Sequence, residues 1–103
     1  MGILVINQQR ARTLQQVRTT LSGVEVLSSA KHFFSRKSGI YSAFLETEGP
    51  THLALRGLGG EEVVIGVAEA LGGTHVTASS YMYDQQIARF LSSLPLTVDG
   101  VVA

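Results

Sequence analysis

Thr74-His75-Val76-Thr77-Ala78-Ser79-Ser80-Tyr81-Met82-Tyr83 alternates between two kinds of side chain. Val76, Ala78, Ser80 and Met82 fall in one register, and His75, Thr77, Ser79, Tyr81 and Tyr83 fall in the other. Successive strand residues point to opposite faces, so this period of two predicts a strand with one apolar face and one polar face. A slip of one residue would bury the polar set, so the register is firmly specified. The fold must cover one side of this strand and leave the other free.

Working outward, Gly72-Gly73 precedes the strand and ends a segment, Glu61–Leu71, in which Val64, Val67, Ala68 and Leu71 form a helical stripe. Gly57-Leu58-Gly59-Gly60 opens that segment, and Glu61 and Glu62 suit the positive end of a helix dipole. Further upstream, His52–Arg56 and Ile40–Thr47 read as strands joined through Glu48-Gly49-Pro50, and Ser35–Gly39 reads as a break. Val24–Leu27 reads as another strand, running towards Phe33-Phe34. Residues 8–22 carry Ala11, Leu14, Val17 and Leu21 in a helical stripe, with either Asn7 as the cap or Thr13 and Gln16 at capping-box spacing, and Gly23 as the stop. The apolar run Gly2–Ile6 reads as a first strand. Downstream, Asp84 is expected to cap a last helix carrying Ile87, Phe90, Leu91 and Leu94, which Pro95 stops.

The expected order is β-α-β-β-β-α-β-α. It implies an α+β fold with a mixed, mainly antiparallel sheet and helices on one face. This layout is similar to a ferredoxin-like plait with one added strand and one added helix. A single domain is expected over residues 1–97, with a loose tail over 98–103.

Composition narrows the function classes. The chain has 103 residues and no cysteine, which removes disulfides, thiolate metal sites and thiol nucleophiles. With no signal-peptide pattern at the N-terminus and no membrane-length apolar run, the expected location is the cytoplasm. Charged residues make up only 16%, against about 25% in a typical domain. So sparse a polar surface points to a homo-oligomer, most simply a homodimer. The net charge of zero hides a split. Arg10, Arg12, Arg18, Lys31, Arg36 and Lys37 stand against Glu25 before residue 38. Arg56 and Arg89 stand against Glu46, Glu48, Glu61, Glu62, Glu69, Asp84 and Asp99 after it. The expected helices 8–22 and 61–71 would neutralise much of this by lying side by side.

No motif fixes a chemistry. The Gly57–Gly60 loop lacks the third glycine of a dinucleotide fingerprint, and the glutamates that follow would repel a phosphate. Lys31-His32-Phe33-Phe34-Ser35-Arg36-Lys37 mixes basic and aromatic residues, but on a strand the two rings would point to opposite faces. The neutral chain also argues against nucleic acid. Thr51-His52 and Thr74-His75 start two strands alike, and a right-handed crossover between them would make those strands parallel. No third ligand is placed to complete a metal site, so no metal and no cofactor are expected.

What remains is the polar sheet face. His52 and Arg56 join His75, Ser79, Tyr81 and Tyr83 as candidate ligand-binding residues. Two functions fit such a face. One is a homo-oligomeric assembly or regulatory module that associates through it. The other is a cofactor-free enzyme or binding protein, with Tyr81 and the histidines moving protons and Arg56 holding an anion.

Overall fold

The computed structural model describes residues 12–37 and 43–96. Strand β1 (Arg12–Thr19) leads to helix α1 (Gly23–His32), which continues as a wider π turn through Phe33–Lys37. Four strands follow: β2 (Ala43–Glu48), β3 (His52–Gly57), β4 (Glu62–Ala70) and β5 (Gly73–Tyr81). Helix α2 (Asp84–Ser92) completes the described chain. The strands form one five-stranded sheet in the order β1-β5-β4-β3-β2, and every ladder is antiparallel. The class is α+β, as expected. The order β-α-β-β-β-β-α differs from the expected one, however, and the strand order is not that of a ferredoxin-like plait. The expected mixed sheet is not seen: no parallel ladder occurs among the described residues. The strand expected over 2–6 and the tail over 98–103 lie outside the described residues.

Three local expectations are reversed, each for a physical reason. Residues 62–70 form β4 rather than a helix. Val63, Val64, Ile65 and Val67 are β-branched, and such side chains lose rotamer freedom in a helix but suit a pleated surface. Val63 and Ile65 are fully buried on one side, at a period of two rather than 3.6. Residues 12–19 form β1, so Leu14 and Val17, expected in one helical stripe, face opposite ways. Leu14 pairs with Ser79 on one face and Val17 with Val76 on the other. Residues 23–32 form α1, not a strand. The Ser22 hydroxyl accepts from the Glu25 backbone N–H at 3.2 Å, and the Glu25 carboxylate accepts from the Ser22 N–H at 2.9 Å. This reciprocal capping box satisfies two donors at the helix start. Gly23 therefore begins a helix instead of ending one.

The two helices that were to pair their charges are strands β1 and β4, separated by β5. The side-by-side pair of helices on which that expectation rested is absent among the described residues. Among the described residues, Lys31 of α1 instead reaches Glu48 of β2 at 2.8 Å.

Both helices cover one face of the sheet. Leu53, Leu55, Val63, Ile65, Val76 and Ala78 pack there against Val26, Ala30, Ile87 and Phe90. Phe33 and Phe34, expected on opposite sides of a strand, sit on the α1 extension instead. Their rings meet edge to face at 5.1 Å, and both lie within 5.7 Å of the Phe90 ring. Aromatic contacts of this geometry add about 0.5–1.5 kcal/mol per pair beyond area burial. Helix α2 begins at Asp84 as anticipated, but Tyr83 is its N-cap residue and makes no side-chain cap. Asp84 contributes as an acid in the first turn, where the helix dipole favours it. Pro95 follows the end of the helix, and the Pro95 carbonyl accepts from the Thr20 N–H at 3.2 Å. No helix among the described residues is long and apolar enough to cross a membrane.

Candidate functional site: the uncovered sheet face

Directly paired residues of an antiparallel sheet share a face. Because Leu53, Leu55, Val63, Ile65, Val76 and Ala78 point at the helices, the registers place their alternates on the opposite side. Three rows of paired residues run across this opposite face. Gln16, Thr77, Gly66 and His52 form one, and Leu14, Ser79, Val64 and Ala54 form the next. Arg12 pairs with Tyr81, and Glu62 with Arg56, in a third, which reaches Phe44 on β2. His75 lies beyond the first row, between Arg18 and Ala68.

Five of the six sequence candidates therefore share one face: His52, Arg56, His75, Ser79 and Tyr81. Tyr83 does not join them. Met82 takes φ +75°, which is rare for a side-chain-bearing residue and ends the alternation. The chain turns there into α2, and Tyr83 is buried in the core at 5% exposure. Its hydroxyl comes so close to Gly57 that a methyl group at that position would run into it. Met82, expected on the apolar side, is 64% exposed for the same reason.

The two histidines are not brought together. Strands β3 and β5 run the same way, but β4 lies between them, and His52 and His75 sit in different rows. Two strand spacings and a two-residue offset along the strands keep them about 12 Å apart. Among the described residues no group of three His, Asp or Glu side chains could hold a metal. The His75 Nε2 lies 2.9 Å from the Gln16 Oε1 across the β1–β5 ladder.

Each of the three guanidinium nitrogens of Arg56 has a partner in its own chain. Its Nε and Nη2 donate to the two Glu46 carboxylate oxygens at 2.8 and 2.9 Å. Its Nη1 donates to the Gly60 carbonyl at 2.9 Å, and Nη2 lies 3.6 Å from Glu62. A guanidinium presents a fixed fork of five donors, and a bidentate carboxylate uses two of them in ideal geometry. The hydrogen bonds from Arg56 hold the Glu46 carboxyl below its usual range, and Glu46 in turn raises Arg56. Glu46 reaches Arg56 because the β2–β3 register shifts between Leu45 and Thr47, which inserts Glu46 as an extra residue. Arg56 thus acts as a clamp between β2, β3 and the β3–β4 turn. Sequence reasoning offered it as an anion contact and missed this partner, since a bulge shows no signal in residue spacing.

Between these polar groups the face carries apolar side chains together with Thr77 and Ser79. Leu14 is 66% exposed, Phe44 54% and Tyr81 48%, with Val64 and Ala54 partly exposed between them. A cleft of about 520 Å³ lies on the opposite side of the molecule. It is lined by Ser28, His32 and Phe33 of the α1 segment and by Phe90, Ser93 and Leu94 near the end of α2. It contains none of the six candidates. No protein-family model matches the chain, and no curated protein or solved structure is significantly similar to it.

Proposed function

We propose that the chain is an assembly or regulatory module that pairs with a second copy through the uncovered sheet face. One observation carries this reading. The middle of that face carries Leu14, Val64 and Ala54 with Phe44 and Tyr81 beside them and Ser79 between Leu14 and Val64, and it is bordered by the His75–Gln16 and Arg56–Glu46 pairs. Apolar centre and polar rim is the anatomy of a protein interface.

The size agrees. Five strands at about 4.8 Å spacing, with about 3.3 Å per residue along each, give a footprint about 24 Å wide and about 25 Å long. This approaches the roughly 800 Å² per partner of a standard interface. Low charge content supports the same reading, and the lack of cysteine suits a reducing compartment such as the cytoplasm. The reading as a ligand-binding protein or cofactor-free enzyme draws less support. Of its six groups, Tyr83 is buried in the core and Arg56 is occupied by Glu46.

Sedimentation at micromolar concentration tests the proposal. The expected result is a dimer, and Val64→Lys, in the middle of that face, should give a monomer with an unchanged far-ultraviolet spectrum. A wild-type chain that sediments as a monomer across the micromolar range overturns it.

A further inference from the structure

We propose that the cleft between α1 and the end of α2 binds a small aromatic carboxylate, its ring against Phe33 and its carboxylate at the hydroxyls and imidazole of α1. The cleft lies on the helix-covered side, away from the sheet face proposed for pairing, so the site does not depend on that pairing. Two helices that share one sheet face normally interlock apolar side chains where they meet. Here the positions along the gap are Ser28, Ser29 and His32 of α1 and Ser93 at the end of α2. Serines are too short to fill it, and about 520 Å³ remains, within the range of small-molecule sites. Phe33 and Phe90 close its floor, their ring centroids 5.6 Å apart. Phe90 is fully buried, whereas Phe33 is half-buried and lines the opening.

The donors here are uncommitted. Ser28 and His32 lie four residues apart on α1, as do Ser29 and Phe33, so donors and ring stand in neighbouring rows on one side of the helix. The Ser28 and Ser29 hydroxyls and the His32 imidazole make no hydrogen bond to another described residue. The Ser93 hydroxyl, by contrast, already donates to the Phe90 carbonyl. Charge selects an anion. No Asp or Glu is among the described residues that line the cleft. The α1 segment and its extension carry Lys31, Arg36 and Lys37 against Glu25, with Lys31 paired to Glu48. Arg89, in the last turn of α2, offsets the negative end of that helix. A local excess of one sign concentrates the opposite ion near it. A carboxylate accepts several hydrogen bonds at once, which suits three adjacent donors. The wide turn Phe33–Lys37 points the same way, since π turns are rare and recur at functional sites. It begins at the ring that lines the cleft.

Titration of the isotope-labelled chain with naphthoate, followed by amide NMR, tests the site. The expected result is saturable shifts centred on residues 28–33 and on Ser93. The dissociation constant should fall below about 1 mM, which the usual binding energy per ligand atom allows for a probe of this size. Naphthylmethylamine, with the same rings and the opposite charge, should bind about tenfold more weakly at low salt, and acetate should leave these amides unmoved. Ser29→Leu fills the cleft and should remove the response while the far-ultraviolet spectrum is kept. Ser28→Leu, at a more exposed position, gives the same reading should Ser29→Leu fail to fold. Amides unshifted at millimolar naphthoate, or shifts that survive both leucine variants, overturn the site. Equal binding of the amine overturns the choice of an anion, and shifts confined to the uncovered sheet face place the ligand elsewhere and overturn the proposal. A chain that sediments as a monomer and still binds naphthoate keeps this site and refutes the pairing alone.

Discussion

Ser80 is the residue whose replacement should most directly test the account of the core. It lies in the middle of the sheet, paired with Val63 of β4 and Thr13 of β1, on the side covered by the helices. It is fully buried, and its hydroxyl has no hydrogen-bond partner. An orphaned buried polar group costs about 1–3 kcal/mol, because water once satisfied it and nothing in the fold does. Ser80→Ala removes one oxygen, and each lost atom–atom contact around it is worth only about 0.1–0.2 kcal/mol. The balance favours alanine by about 1 kcal/mol, which for a domain of this size raises the melting temperature by about 4–8 °C. Differential scanning calorimetry at matched concentration reads the change directly. A fall of several degrees would refute the reasoning, since it would mean that the hydroxyl has a partner whose loss is felt.

Other changes follow from the same structure. Phe90→Ala should cost about 3–5 kcal/mol in urea titration, because a fully buried ring that contacts Phe33 and Phe34 leaves a cavity. Ser22→Ala should lose about 1 kcal/mol by removing the cap of α1. With the Ser22 hydroxyl gone, the Glu25 carboxyl, held low mainly by its hydrogen bond from the Ser22 backbone, should titrate closer to its ordinary value by NMR. Glu46 titrates low because Arg56 donates to it, so its contribution is present above the unfolded carboxyl range and is lost as the pH falls through its lowered folded value. In Arg56→Leu, the acid side of the stability profile should therefore become shallower. A Glu46 resonance that titrates normally in the wild type would remove the basis of that expectation.

The sequence was most legible where the environment on each side of an element differs strongly. Strand β5 buries Val76 and Ala78 and leaves His75 and Tyr81 in the open, so its alternation shows both faces. Helix α2 was equally plain, since Ile87, Phe90 and Leu91 all turn inward. Strand β4 hid itself because the uncovered face is apolar at its centre. Val64 fills that face while Val63 and Ile65 fill the core, and the alternation vanishes. A helix-like stripe could then be picked from a run whose β-branched residues argued for a strand. For α1 the overlooked signal was Ser22-Gly23-Val24-Glu25, a four-residue capping box that outranks the weaker Thr13–Gln16 spacing. The shared face of His52, Arg56, His75, Ser79 and Tyr81 followed from alternation alone. Two features did not, because both depend on single-residue departures from it: the +75° φ of Met82, which turns Tyr83 inward, and the bulge that brings Glu46 to Arg56.

The chain order of the sheet has a consequence for how it is assembled. Strands β2 to β5 form a meander in which each strand pairs with the next, and its loops close over a few residues. Strand β1 waits. Its neighbour is β5, so Arg12 meets Tyr81 only after the whole intervening segment has been made. During synthesis at about 5–20 residues per second, β1 therefore leaves the ribosome seconds before its partner, with Leu14 and Val17 exposed to solvent and to other chains. Closing so long a loop costs only about (3/2)RT ln n in chain entropy, but it slows the step that depends on it. The meander should acquire hydrogen-exchange protection first and β1 last, and a nascent chain that stops before Gly73 has no strand on which β1 can dock.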